Sequence, residues 1–145
     1  MNNKFKFFIS GRTRNRENIL KICNIFENFN ISHYCFLKNE ESHKEANLDI
    51  NDKNLADTFE GLKLEDARVR TIFEHDLKGL KNSDNYLLVL PAGKSSHIEA
   101  GISYGLGKKC YTIGEYDATD SLYLIFDKIF KDEDELKEFL AKGNF

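Results

Sequence analysis

The alternation of short apolar runs with helical periodicity constrains the fold of this chain most strongly. Residues Phe5–Ser10 form an apolar run that ends at Gly11, which predicts a buried strand followed by a turn. Apolar residues then recur at helical spacing between Asn15 and Phe29, and a second apolar run occupies Ser32–Leu37. A strand, a helix and a strand in this order predict a right-handed βαβ unit.

The same alternation continues to the end of the chain. The pattern predicts a helix over Asp66–Leu80, a strand over Tyr86–Leu90, a helix from about His97 to Leu106 that stops at Gly107, a strand over Cys110–Ile113, a helix from Ser121, a short strand over Lys128–Phe130 and a last helix that ends near Leu140. With 145 residues the chain fits one domain, residues 1–145. We therefore expect a single-domain, doubly wound α/β fold with a five-stranded parallel sheet.

Residues 38–62 break this regularity. They are polar, rich in Asn, Asp, Glu and Lys, and without a clear period. An irregular stretch of this length inside a compact domain is often a lid or a binding loop. We expect it to cover the ligand.

Composition excludes several classes of function. The formal net charge of −3 argues against a nucleic-acid polymer as partner. No apolar run reaches the roughly 20 residues that span a bilayer, so no membrane partner is expected. Three scattered cysteines, Cys23, Cys35 and Cys110, have neither disulfide nor metal-ligand spacing. These features predict a cytoplasmic protein with free, buried thiols and no metal.

Asp76 is the first residue that points to chemistry. The predicted helix carries an apolar stripe, and Asp76 falls within it. The residues of the stripe are Val69, Ile72, Phe73, Leu77 and Leu80. A carboxylate on the buried side of a helix costs several kcal/mol (roughly 3–5) unless it is paired or hydrogen-bonded. Asp76 is therefore either a site residue or a residue at the edge of the stripe with a structural partner.

Glu99 has two interpretations that use the same local geometry. Ser96-x-x-Glu99 matches a capping box, in which Ser96 is the N-cap and Glu99 reaches back to the backbone. Alternatively, Glu99 lies one turn into a helix near the carboxyl end of a strand, where ligands bind in doubly wound folds. The preceding turn, with Gly93, Ser95 and Ser96, offers amides and hydroxyls that suit a phosphate or sugar oxygen.

A second candidate binding loop follows the first predicted strand. Gly11 permits close backbone approach, and Arg12, Arg14 and Arg16 precede a helix where they could meet a phosphate. Solvated surface arginines are the alternative. His97 lies beside Glu99 and His75 beside Asp76. Either histidine could be a site residue, and His97 is a candidate for substrate binding; a structural or solvated histidine is the alternative.

Several of these segments together resemble the nucleoside 2-deoxyribosyltransferase family. The resemblance rests on the stretch from Ile72 to Leu80, on Ser83-Asp84 and the strand that follows, and on the Ser95–Gly105 segment with its Glu99-Ala100-Gly101. It covers residues 66–114 well and the first strand more loosely. It implies a flavodoxin-like strand order, 2-1-3-4-5.

The resemblance also implies roles for the two carboxylates. Glu99 matches the family nucleophile, and Asp76 matches a carboxylate that positions it or assists with the substrate. The implied reaction is retaining: Glu99 attacks the anomeric carbon of a nucleoside, and the glycosyl ester is then taken by a second base or by water. The resemblance implies a homodimer or higher homo-oligomer and no cofactor.

Two positions depart from the family pattern. Phe7 stands where the family often carries a tyrosine that holds the nucleophile, and Gly93 or its neighbours replace a further carboxylate. Arg12, Arg14 and Ser95 instead resemble the phosphate-holding groups of relatives that hydrolyse nucleoside 5′-monophosphates. Two alternatives stay open: a non-catalytic nucleotide-binding sensor, and a glycohydrolase acting on NAD, whose cationic leaving group needs no acid.

Overall fold

The computed structural model describes residues 4–116 and 120–145. Five parallel strands form one sheet in the order β2-β1-β3-β4-β5. The strands are β1 (Phe5–Ser10), β2 (His33–Tyr34), β3 (Ser83–Val89), β4 (Lys109–Ile113) and β5 (Phe126–Phe130). The strand order reverses between β1 and β3, and ligands in such sheets bind beyond the carboxyl ends of the strands at that reversal. The predicted fold class and strand order are confirmed.

Six α-helices occur in the described part of the chain. They are α1 (Arg16–Asn28), α2 (Glu40–Glu45), α3 (Leu55–Glu60), α4 (Ala67–Lys81), α5 (Lys94–Gly105) and α6 (Glu133–Lys142). Three short 3-10 helices accompany them, over Thr13–Asn15, Phe36–Lys38 and Ser121–Ile125. Within these described residues no helix is long and apolar enough to cross a membrane.

Strand alternation divides the core into two layers. Phe7 and Ile9 of β1 face the layer that contains α1 and α6, whereas Phe8 faces the layer that contains α4 and α5. Successive side chains of a strand point to opposite faces, so Ser10 shares the face of Phe8. This parity directs the hydroxyl at the end of β1 towards α5.

The structure corrects the extent of several predicted elements. Strand β2 covers only His33–Tyr34, because the chain turns into a 3-10 helix at Phe36. The predicted helix from Ser121 is a 3-10 helix over Ser121–Ile125, which leads directly into β5. Gly107 has a φ of +78°, the left-handed conformation that the sequence predicted at the end of the helix before it.

Residues 38–62 are more regular than predicted. They contain helices α2 and α3, both too short for a periodicity to show in the sequence. Side chains of the first loop hold this segment in place: Arg14 pairs with Asp57 and Glu60 of α3, and Arg16 donates to the carbonyl of Ile50. The segment is therefore docked onto the carboxyl edge of the sheet.

The predicted apolar stripe of α4 is only partly buried. Ile72 and Leu80 lie in the interior, but the side chain of Phe73 is 54% exposed. The three cysteines are free and buried as predicted. The C-terminal phenylalanines pack within the protein: Phe126, Phe130 and Phe139 are buried, and Phe145 contacts Phe7.

Candidate functional site

Glu99 is held by the end of β1. The hydroxyl of Ser10 donates to Oε1 of Glu99 across 2.7 Å. Ser10 is the last residue of β1, and Glu99 lies in the second turn of α5, which packs on the same face of the sheet. One carboxylate oxygen is thereby fixed, whereas Oε2 has no hydrogen bond to another described residue.

The capping-box interpretation of Glu99 is wrong. Helix α5 begins at Lys94 with Gly93 as its extended N-cap, so Ser96 lies inside the helix instead of capping it. The side chain of Glu99 therefore turns away from the helix start and bonds to Ser10. The sequence placed the helix start three residues too late because Lys94 and Ser95 are polar and exposed and carry no apolar signal.

Asp76 belongs to α4, and its side chain reaches the end of β2. The hydroxyl of Tyr34 donates to its Oδ1 across 2.9 Å, and Tyr34 in turn accepts a hydrogen bond from Nδ2 of Asn39, also at 2.9 Å. The ring of Tyr34 stacks on Phe8 with a centroid separation of 5.1 Å. Gly79 makes room for it: a Cβ there would lie 2.7 Å from the ring.

The two carboxylates form one electrostatic unit. Burial raises the pKa of Asp76 to about 7, and the hydrogen bond from Tyr34 opposes this rise. Burial and then the charge of Asp76 raise the pKa of Glu99 to about 8, against the hydrogen bond from Ser10. Burial and mutual repulsion both oppose simultaneous ionisation of the two carboxylates near neutral pH. A nucleophile and an acid can therefore coexist in this site.

The arginines of the first loop have different surroundings. Arg14 forms ion pairs with Asp57 and Glu60 at 2.7 and 2.8 Å, and Arg16 bonds to the backbone of residues 38–62. Arg12 is exposed, and its side chain has no hydrogen bond or ion pair within the described residues. Of the three arginines, Arg12 is the one whose charge is not already matched by carboxylates or carbonyls of the protein.

The remaining predicted binding residues surround the start of α5. Gly93 is its N-cap, and a Cβ there would meet nothing within 4 Å. Ser95 is exposed in the first turn, whereas Ser96 is buried and its carbonyl accepts from the hydroxyl of Tyr86. Gly11 lies at the end of β1, where a Cβ would come within 2.7 Å of Ile19.

The two histidines that neighbour the carboxylates in sequence, His75 and His97, both form side-chain hydrogen bonds within the protein. Nδ1 of His97 donates to the carbonyl of Gly93 at 2.7 Å, which leaves Nε2 to accept from the hydroxyl of Tyr123, also at 2.7 Å. His75 reaches Glu45 of α2 at 2.6 Å and so ties α4 to the docked segment. His97 thus uses both ring nitrogens within the protein, and His75 uses Nε2.

Sequence reasoning missed Ser10 and Tyr34, which donate to the carboxylates, and Asn39, which donates to Tyr34. It assigned Phe7 to the position of a nucleophile-holding tyrosine, but Phe7 packs against Phe26 on the opposite face of the sheet. Strand parity was the available signal, because the polar residue that ends the buried strand β1 had to share the face of Phe8. No comparable signal marks Tyr34 or Asn39.

Residues 4–116 and 120–145 contain no group of three or more His, Cys, Asp or Glu residues arranged to hold a metal ion.

Comparison with known proteins gives a structural neighbour. The sequence matches no protein-family model and no curated protein sequence. In structure the chain is similar to the 2-deoxyribosyltransferase of the psychrotolerant bacterium Bacillus psychrosaccharolyticus, with a TM-score of 0.65 and 14% sequence identity. The match covers 91% of this chain and 90% of that chain. At this identity the similarity establishes a shared fold.

The raised pKa of Glu99 predicts how stability depends on pH. Unfolded glutamate has a pKa of about 4.3. Between that value and about 8, the folded protein binds a proton that the unfolded chain has released, so stability falls as pH rises. Because Glu99→Gln removes the titrating group, we expect it to stabilise the protein by on the order of 2 kcal/mol at pH 8 and by much less at pH 5.

Urea unfolding at both pH values measures this effect. Glu65→Gln, which removes one charge from an exposed side chain, is the matched control. A Glu99→Gln protein whose advantage over the wild type is the same at pH 5 and pH 8 would contradict a raised pKa at Glu99.

Proposed function

We propose that this protein cleaves the N-glycosidic bond of a nucleoside or nucleoside 5′-monophosphate through a covalent glycosyl–Glu99 intermediate. The observation that carries the proposal is the pair of partly buried carboxylates, Glu99 and Asp76, each held by a hydroxyl donor and each with a pKa that burial raises to about 8 and about 7. The similarity in fold to a 2-deoxyribosyltransferase supports the same class of chemistry.

In the first step Glu99 attacks the sugar. Its Oε2 forms a bond to the anomeric carbon while the C–N bond breaks and the electron pair passes to the base nitrogen. Ser10 keeps Oε1 in place and stabilises the charge on the carboxylate before attack. The higher pKa of Glu99, about 8 against about 7 for Asp76, puts the proton of the resting pair on Glu99. In the reactive form Glu99 is ionised and the proton is on Asp76, which gives it to the departing base and makes the base a better leaving group.

The second step reverses these roles. Water or the nitrogen of an acceptor base attacks the anomeric carbon, the ester bond to Glu99 breaks, and the ionised Asp76 takes up the proton that the attacking group loses. Two displacements at one carbon retain its configuration. An acceptor base gives transfer, and water gives hydrolysis.

A 5′-phosphate would be recognised by the first turn of α5 and the first loop. The backbone amides and the hydroxyl of exposed Ser95 suit an anion at a helix N-terminus, and the unmatched charge of Arg12 adds to this. Arg14 takes a different role in this proposal, because it already binds Asp57 and Glu60. It keeps residues 38–62 docked as a cover over the sugar.

We further propose a homodimer formed through α4 and α5. These neighbouring helices present apolar side chains to solvent, with Phe73, Ile98 and Ile102 exposed by 54%, 56% and 37%. Such a surface is typical of an interface between subunits. The C-terminal phenylalanines are not candidates for this interface, because they pack in the core. A cytoplasmic location agrees with nucleotide substrates and free thiols.

The activity is tested by chromatography. The wild-type protein, incubated with nucleosides, 5′-monophosphates or NAD, should release free base, and Glu99→Gln should reduce the rate by at least about 10³-fold. Glu65→Gln should match the wild type. A new nucleoside that forms only when a second base is present identifies transfer. Release of base that survives Glu99→Gln, or no release from any substrate, would refute the proposal.

The interface is tested by sedimentation velocity. We expect the wild type to sediment as a dimer and Ile98→Asp as a monomer, because a charge in an apolar interface loses its hydration. Leu124→Asp, at a leucine that is 89% exposed elsewhere on the surface, should stay dimeric. A monomeric wild type, or an Ile98→Asp protein that remains a dimer, would rule out this interface.

A further inference from the structure

The chain of hydrogen bonds that ends at Asp76 has a fixed direction. The backbone N–H of Ser42 can only donate, and it donates to Oδ1 of Asn39 at 3.2 Å. The other end of that amide is therefore the Nδ2 group, which donates to the hydroxyl oxygen of Tyr34. The single hydrogen of Tyr34 then lies on the bond to Oδ1 of Asp76.

This direction distinguishes the two oxygens of Asp76. Oδ1 accepts the hydrogen of Tyr34. A carboxyl oxygen that already accepts a hydrogen bond is the less basic of the two, so a proton on Asp76 is favoured on Oδ2. A carboxylic acid with its proton confined to one oxygen is a directed donor, whereas an unrestrained one distributes the proton between both oxygens.

The packing around Tyr34 keeps this arrangement rigid. The ring of Tyr34 stacks on Phe8 and also packs against Gly79 of α4, where any side chain would clash with it. Asn39 is also the N-cap of α2, so the first hydrogen bond of the chain forms when residues 38–62 fold onto the sheet. The state of Asp76 is thereby coupled to the docking of that segment.

We propose that Tyr34 and Asn39 are positioning residues that hold the proton of Asp76 on Oδ2, so that docking of the segment containing α2 completes the acid. The inference rests on the proposed function, because it assigns the acid of the first step. Neither residue needs to touch the substrate. Their effect passes through the orientation of Asp76.

Several groups influence the same carboxyl and must be kept constant in any test. The charge of Glu99 of α5 repels the charge of Asp76, and His75 of α4 lowers the pKa of Asp76. The thiol of Cys35 also interacts electrostatically with Asp76. Tyr34 lowers the pKa of Asp76 by stabilising the ionised form. Removal of the hydroxyl should therefore raise that pKa.

Two substitutions test the chain of bonds. Tyr34→Phe removes the donor to Asp76. Asn39→Asp keeps an oxygen that accepts from the N–H of Ser42. It replaces the Nδ2 donor to Tyr34 with a second acceptor, which competes with Asp76 for the single hydroxyl hydrogen of Tyr34. Tyr111→Phe is the matched control, because this tyrosine is buried in the layer on the other face of the sheet.

Carbon-13 NMR titration of the Asp76 carboxyl and steady-state kinetics provide the two readouts. We expect Tyr34→Phe to raise the pKa of Asp76 by about one unit and to lower kcat by roughly 10–100-fold with little change in KM. Asn39→Asp should act in the same direction. When Tyr34→Phe is already present, Asn39→Asp should lose most of its effect on the pKa of Asp76 and on kcat. Only the repulsion between the new carboxylate and Asp76 then remains.

The outcomes separate this inference from the proposed function. A wild type that releases base, combined with a Tyr34→Phe protein of unchanged pKa or unchanged kcat, would overturn the inference and leave the proposed function standing. An equal effect of Asn39→Asp with and without the Tyr34 hydroxyl would also overturn it. A wild type without glycosidase activity would overturn the proposed function itself.

Discussion

The electrostatic coupling of two partly buried carboxylates, Glu99 and Asp76, is the constraint on which the account of this site depends. Each loses hydration, and each is repelled by the charge of the other, so the ionised pair is costly at neutral pH. The fold keeps this arrangement with one hydroxyl donor for each carboxylate: Ser10 for Glu99 and Tyr34 for Asp76. A protein that only needed stability would place neither carboxylate there.

The doubly wound sheet supplies the geometry. Strands β1 and β3 meet where the strand order reverses, and helices α4 and α5 bring one carboxylate each to that edge. Residues 38–62 dock beside it, held by Arg14, Arg16 and the bond between His75 and Glu45. The carboxylates are therefore contributed by the long helices α4 and α5, whereas Asn39, which bonds to Tyr34, belongs to a segment with only two six-residue helices.

The sequence carried enough information to predict the sheet and the candidate carboxylates. Strand and helix periods differ, so the apolar runs of β1, β3 and β4 and the long helices were predictable, and Asp76 stood out because it interrupts an apolar pattern. The bond from Ser10 to Glu99 joins residues 89 positions apart and leaves no local pattern. The six-residue helices α2 and α3 and the short strand β2 are likewise set by tertiary contacts, which is why residues 38–62 were predicted to be irregular.

The most direct test of the central claim is to observe the covalent intermediate. The protein would be mixed with a deoxynucleoside or deoxynucleoside 5′-monophosphate that it cleaves, without acceptor base, quenched in acid within milliseconds to seconds, digested and examined by mass spectrometry. The account predicts a transient adduct with the mass of the deoxyribosyl or phosphodeoxyribosyl group on the peptide that contains Glu99. The adduct should be absent in Glu99→Gln. Cleavage that proceeds with no adduct at any time, or an adduct on a different residue, would contradict Glu99 as the nucleophile.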